Sequence, residues 1–203
     1  CLKSAKKQGM GQIEEYQNLE LQIAISHCEK LRIAVDIGAH VGITAYRLSE
    51  SFEHVHAFEL NTNLLPHLQY NLNMKKVYNY TTHPVGLGDV EKEVSIKTTN
   101  KSFGTHVDPE KKTGKFRIKT LDSFNLQTVD FIKIDAEGYD GEIILSFLNE
   151  EIDCKAIIFE FIHIKNKLFI KLIDKLKSKN FNFFQINENL VCINNKEKIK
   201  ILI

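Results

Sequence analysis

VDIGAHVG, residues 35–42, is the stretch on which the fold turns. The apolar, β-branched run RIAVDI reads as a buried strand, Gly38 ends it in a turn, and ITAYRLSES after the turn has helical periodicity. Strand, glycine turn and helix together form the opening unit of a nucleotide-binding α/β sheet. A dinucleotide fold asks for GxGxxG at this turn. Here the spacing is Gly38-x-x-x-Gly42 with Asp36 ahead of it, so that fingerprint fails.

The pattern continues on both sides. IEEYQNLELQIAISHCEK sets Ile13, Tyr16, Leu21, Ala24, Ile25 and Cys28 at helical spacing, which predicts an amphipathic first helix behind a mobile tail over residues 1–11. Downstream, HVHAFEL reads as a second strand, with His54 and His56 as core-edge residues on one side. TNLLPHLQYNLNM reads as a helix capped by Asn61 or Thr62, with Pro66 tolerated near the first turn. VYNYTTHPVGL is a third strand and EKEVSIKT a fourth apolar-alternating segment, whereas TNKSFGTHVDPEKKTGK is polar and reads as a lid loop. VDFIKID and AIIFEF are near-continuous apolar runs, as expected of strands covered on both faces, with the helix YDGEIILSFL between them. HIKNKLFIKLIDKLKSKN puts Leu168, Leu172, Ile173 and Leu176 on one helical face, and FNFFQI with LVCIN predicts a closing hairpin. Alternating strands and helices ending in a hairpin argue an α/β three-layer sandwich around a mostly parallel sheet. Residues 12–203 are expected to form a single domain.

Composition narrows the partners. The 203 residues are 43% hydrophobic, enough for one sizeable core, and carry a net charge of +1 with charges interspersed, so no global pull toward nucleic acid or anionic membrane exists. No run approaches the length of a membrane span, and the basic opening lacks the apolar stretch of a secretory signal. Cys1, Cys28, Cys154 and Cys192 are scattered without metal-ligand spacing and read as free thiols. A soluble cytoplasmic protein is expected. Because the chain opens on Cys1, an upstream segment is expected as well.

Four apolar strands each stop on a carboxylate: Asp36, Glu59, Asp135 and Glu160. In a parallel sheet these ends share one edge, and open α/β sheets bind ligands beyond that edge. Like charges gathered in a partly desolvated crevice destabilise one another unless a cation offsets them. S-adenosylmethionine carries a sulfonium, an ammonium and a carboxylate, and so is net positive; the pyrophosphate of NAD would be repelled. Asp36 is placed to accept from the ammonium or orient the turn, and Glu59 to take both ribose hydroxyls.

These motifs resemble the FkbM-type family of S-adenosylmethionine-dependent methyltransferases, over about residues 33–163 and in the family's order. VDIGAHVG is similar to its first motif, AFELNTNLLPHLQYNL to its ribose-binding strand end and helix, and VGLGD to the turn after the third strand. SFGT, TLDSF, DFIKIDAEGYD and IIFEFIH follow, with TLD then IKIDAEG the most specific element. His40 stands where the family usually has Asn, and Leu60 where it has Pro. The resemblance implies a seven-stranded, Rossmann-like class I methyltransferase sheet with an antiparallel C-terminal hairpin. It also implies methylation of a hydroxyl on a sugar, glycan or small hydroxylated metabolite. Carried over by position, Asp36, Gly38, Ala39, His40, Gly42, Glu59, Leu60, Val85, Gly86 and Asp135 would line the cofactor, and Ser102, Gly104 and Thr105 would lie in a lid over the substrate.

Deprotonating an alcohol calls for a positioned base. Asp135 is the first choice as base or orienter, with Glu137, Glu160 and His163 behind it. The DAE sequence with Glu160 could alternatively hold a hard divalent cation, though a metal is not favoured. An RNA ribose 2′-O-methyltransferase is the rival enzyme, since Lys133, Asp135 and Glu160 match part of a lysine–acid set, but no basic stripe interleaved with aromatics is seen. A non-catalytic scaffold retaining the fold is the other alternative.

Overall fold

The computed structural model describes residues 17–98, 105–108, 110–111, 114–126, 128–149 and 154–194. The expected tail, Ser102 and Gly104 lie outside them. The first half runs α1 (Asn18–Ser26), β1 (Ile33–Ile37), α2 (Ile43–Ser49), β2 (His54–Phe58), α3 (Leu65–Met74) and β3 (Tyr80–His83). Short strands follow: β4 (Gly86–Leu87), β5 (Lys92–Val94), β6 (Ile96–Thr98), β7 (Thr105–Val107) and β8 (Phe116–Lys119). The chain then completes the sheet with β9 (Phe131–Ile134), α4 (Asp140–Asn149), β10 (Ala156–Glu160), α5 (Asn166–Ser178), β11 (Phe181–Ile186) and β12 (Asn189–Asn194).

Seven strands form the main sheet in the order β11-β12-β10-β9-β1-β2-β3. All pairings are parallel except those of β12, which runs against both β10 and β11. The predicted C-terminal hairpin is therefore present, with its second strand inserted beside β10. Helices α1, α2 and α3 cover one face, where Ala34, Ala57 and Ala156 are fully buried under Leu21, Leu48 and Leu72. Helices α4 and α5 cover the other, where Val35, Ile132, Ile157 and Phe159 meet Ile144, Phe147, Leu172 and Leu176. This is the expected three-layer sandwich. Because the chain builds β1, β2 and β3 to one side and then crosses to β9, the strand order reverses between β1 and β9, the place where such sheets hold ligands.

Several boundaries depart from the sequence reading. The helix expected from Thr62 begins at Leu65 with Leu64 in the cap position, and Pro66 does sit in its first turn. Asn61 is spent otherwise: its side-chain oxygen accepts from the Asn63 amide at 3.3 Å and its carbonyl from Leu64 at 2.8 Å, making a turn before the helix. The third strand breaks at Pro84, which has no N–H for a ladder; β3 stays in the main sheet while β4 joins β5 and β8 in a separate one. EKEVSIKT likewise splits at Ser95 into β5 and β6. Within the polar stretch expected to be a loop, Thr105–Val107 forms β7, paired antiparallel with β6.

Candidate active site

Register decides which side chains meet. Asp36 pairs across with Ala57 on β2 and Lys133 on β9, and Lys133 with Ile158 on β10. Side chains two residues on share the same face, so Glu59, Gly38, Asp135 and Glu160 form the next row outward, extended by Asn189, which pairs with Glu160. The four strand-end carboxylates thus share one edge and also one face, the face covered by α1, α2 and α3.

Gly38 makes the row possible. Its φ is +79°, and a Cβ there would stand 1.9 Å from the Asp135 carbonyl oxygen, so only glycine lets β1 end this close to β9. The turn continues through buried Ala39 and through His40, whose φ is +50°, to Gly42 at +87° ahead of α2. The amides of Gly38 and Ala39 both donate to the Phe58 carbonyl at 3.0 Å, and the Gly42 amide donates to Ala39 at 2.8 Å. Glu59 is buried and fixed to the same loop, its carboxylate accepting from the His40 amide at 2.8 Å and the Asn61 amide at 2.7 Å. Burial pushes its pKa up, against those two hydrogen bonds.

Beneath the turn, Asp36 is fully buried, and neither carboxylate oxygen has a hydrogen-bond partner of ordinary geometry among the described residues. Burial raises its pKa to about 6; Lys133 opposes the rise, Asp135 and Glu59 add to it, and the nearby Ala45 amide lowers it slightly. Lys133 is the single buried lysine or arginine among the described residues, and its Nζ donates to Asp135 Oδ2 at 2.9 Å. The sequence reading grouped Lys133 with Asp135 and Glu160 as part of a lysine–acid set, but did not place it beside Asp36.

The remaining catalytic candidates gather around Asp135. Glu160 Oε2 lies 3.9 Å from His163 Nε2, and Glu137 Oε2 lies 3.9 Å from His106 Nδ1. Burial, and then the charge of Asp135, raise Glu160 to about 7 and also raise Glu137. His163 is about half exposed. Glu137 has a φ of +50° in a turn closed by Asp140, whose carboxylate accepts from the amides of Ala136 and Gly138 at 3.3 Å each. Asp140 is buried, and burial together with Asp135 lifts its pKa to about 6. On the other side of the turn, a Cβ on Gly86 would meet Leu60 at 3.2 Å, so Leu60, Val85 and Gly86 make one apolar wall beyond Glu59. Of the substrate residues, Thr105 starts β7.

A cleft of about 480 Å³ opens between α1, the ends of β9 and β10, and the β11–β12 turn, and Asp135 and Glu160 form part of its wall. Gln17, Glu20 and Asn189 also line it, and the sequence did not mark them for the site. Among the described residues no group of three or more histidines, cysteines or acids is arranged to hold a metal ion, and no helix is long and apolar enough to cross a membrane. Cys28, Cys154 and Cys192 are free thiols, and burial pushes Cys28 up to about 12.

The residues fit the sulfonium cofactor. An orphaned buried carboxylate, a glycine turn that bars any side chain, and a braced carboxylate at the second strand end offer what its ammonium, methionine chain and ribose need.

Among solved structures, an rRNA methylase from Streptococcus thermophilus is similar at 14% identity and a TM-score of 0.56, covering 87% of this chain and 94% of its own. A Streptococcus mutans protein, classed among methyltransferases and solved with S-adenosylhomocysteine, is similar at 12% identity and a TM-score of 0.57, with 87% and 96% covered. The FkbM methyltransferase of Methylobacillus flagellatus aligns at 15% identity and a TM-score of 0.53 over 81% of this chain but 43% of its own. These likenesses show the methyltransferase fold. No curated protein matches the sequence. Residues 36–183, well over half of the chain, match the FkbM methyltransferase domain. The chain therefore belongs to the FkbM methyltransferase family, which transfers methyl groups from S-adenosylmethionine.

Proposed function

We propose that the protein is an O-methyltransferase that methylates a hydroxyl of a sugar, glycan or small hydroxylated metabolite. One observation carries this: the row Glu59, Gly38, Asp135 and Glu160 joins the cofactor turn to an open cleft with two acids at the junction. S-adenosylmethionine, held by Asp36, Gly38, Ala39, His40, Gly42 and Glu59 and flanked by Leu60, Val85 and Gly86, supplies an activated methyl on a cationic sulfur.

The chain's own work is to place the acceptor and take its proton. Lys133 clamps Asp135 Oδ2 from below, which suits Asp135 to orienting the acceptor hydroxyl. Glu160 has no lysine or arginine within ion-pair distance among the described residues, and with a pKa near 7 it suits the base. Holding the oxygen in line with the methyl supplies the proximity contribution. Because the base must be ionised, turnover is expected to rise with pH through about 7. Glu160→Gln should lower kcat roughly 100-fold and flatten that limb, and Asp135→Asn should cut turnover while leaving cofactor affinity nearly unchanged. Transfer of labelled methyl to a panel of hydroxylated acceptors checks both. A Glu160→Gln enzyme with wild-type kcat and pH profile would remove Glu160 from the role, and equal turnover in Asp135→Asn would remove Asp135.

An RNA acceptor is supported less, because acids line the cleft where a phosphate backbone would lie. Strongly salt-sensitive binding of RNA would reverse that preference.

A further inference from the structure

Glu20 is an unusual residue for the first turn of a helix packed on a sheet. It is 3% exposed, it faces the cleft, and its one hydrogen bond among the described residues is a long 3.4 Å contact from Asn187 Nδ2. No lysine, arginine or histidine lies within ion-pair distance of it among the described residues. A carboxylate drawn this far from water is stabilised by a cation or by several good hydrogen bonds, and among the described residues Glu20 has only the Asn187 contact. Beside it, Gln17 Oε1 is shut off from solvent with no partner among the described residues, while the Gln17 amide nitrogen donates to Asn189 Oδ1 at 3.4 Å.

The rest of the wall has the same sign. Glu188 stands at the β11–β12 turn, held there as its carbonyl accepts from the Phe161 amide at 3.2 Å, and Asp135 and Glu160 close the end nearest the cofactor. Lys133 lies below the row and is engaged with Asp135, so among the described residues the cleft wall presents four carboxylates and no lysine, arginine or histidine. A metal ion would need ligands converging on one point, and no such group exists among the described residues. An anionic acceptor would be repelled, and a neutral polyol would leave Glu20 without a counter-charge.

On the methyltransferase reading, we propose that the methyl acceptor is a hydroxylated amine, such as a sugar with a free amino group. Its ammonium is held between Glu20 and Glu188, and the hydroxyl to be methylated lies at Asp135 and Glu160. Specificity then comes from α1 and the β11–β12 turn, which the family's cofactor motifs do not include.

The test uses the whole chain loaded with S-adenosylhomocysteine and three probes: a glucosamine trimer, its N-acetylated counterpart and a galacturonic acid trimer. Binding is read by saturation-transfer NMR and calorimetry, and transfer by labelled S-adenosylmethionine. The free-amine trimer should bind roughly tenfold or more tightly than the N-acetylated one, equivalent to about 1.4 kcal/mol, and the uronate should not bind. Glu20→Gln should erase that preference with S-adenosylhomocysteine affinity unchanged. Glu188→Gln, at an exposed turn that tolerates substitution, should reduce it even if the Glu20 variant fails to fold. Equal or tighter binding of the N-acetylated or uronate trimer, or no binding of the amine, overturns the proposal. Failure of S-adenosylhomocysteine itself to bind overturns the methyltransferase reading instead.

Discussion

Gly38 and Asp36 show how much of the site is fixed by single residues. A methyl group on Gly38 would overlap the Asp135 carbonyl, and the position needs a φ of +79°. Gly38→Ala therefore combines left-handed backbone strain with a main-chain collision at the junction of β1 and β9, expected to cost about 3 kcal/mol or more. Urea unfolding measures it, and a loss under about 0.5 kcal/mol would show that the strand ends are not so closely apposed. The sequence made Gly38 and Asp36 legible, because an acid and a glycine at the end of an apolar run have few other uses. It did not make Lys133 legible as a buried counter-charge, since FIKID reads as a strand whichever face the lysine takes. Only the pairing of Lys133 with Asp36 puts it beneath the carboxylates.

At the scale of elements, the edge strand β3 is held partly by histidines. His56 Nδ1 and His83 Nε2 share a hydrogen bond of 2.9 Å, His83 stacks on Phe58 and against Phe124, and His54 lies edge-on to His56. Burial first, then the charges of His83 and His54, lower His56 to about 4. A histidine whose folded pKa lies below its unfolded value of about 6.5 favours the fold when neutral. Its contribution is complete above about 6.5 and is lost as pH falls through 4. The half-exposed ring limits the effect to on the order of 1–2 kcal/mol. The raised carboxylates of Asp36 and Asp140 act in the opposite sense, favouring the fold below their folded values, so the comparison must be between wild type and His56→Gln. Urea midpoints should converge between the two as pH falls from 7 to 4.5; a constant difference would contradict this reading of β3. The sequence reading placed these histidines at the core edge, but not their contact with His83, which comes from the neighbouring strand. Pro84 and Ser95 as break points were equally hidden, because alternation continues through both and only pairing assigns the pieces to different sheets.

Across the whole molecule, the legible part was the topology: apolar runs ending on acids, glycine turns and a closing hairpin determine a doubly wound sheet whose switch point gathers charge. The illegible part was whatever the sheet's far side contributes. Glu20, Asn189 and Glu188 reach the cleft because α1 crosses β10 and β12, a packing decision made by Leu21 and Ala24 rather than by any motif. The same assembly leaves Asp36 fully buried with no hydrogen bond of ordinary geometry among the described residues and with Lys133 shared with Asp135, and that deficit is the strongest physical reason to expect a cationic ligand over the turn.

A melting and denaturation series in the presence of S-adenosylhomocysteine, S-adenosylmethionine and NAD tests this most directly. Either sulfur ligand at about 100 times its Kd should add roughly 2.7 kcal/mol of stability, NAD should add none, and Glu59→Gln should weaken the effect. Stabilisation by NAD, or none by either sulfur compound, would contradict the account.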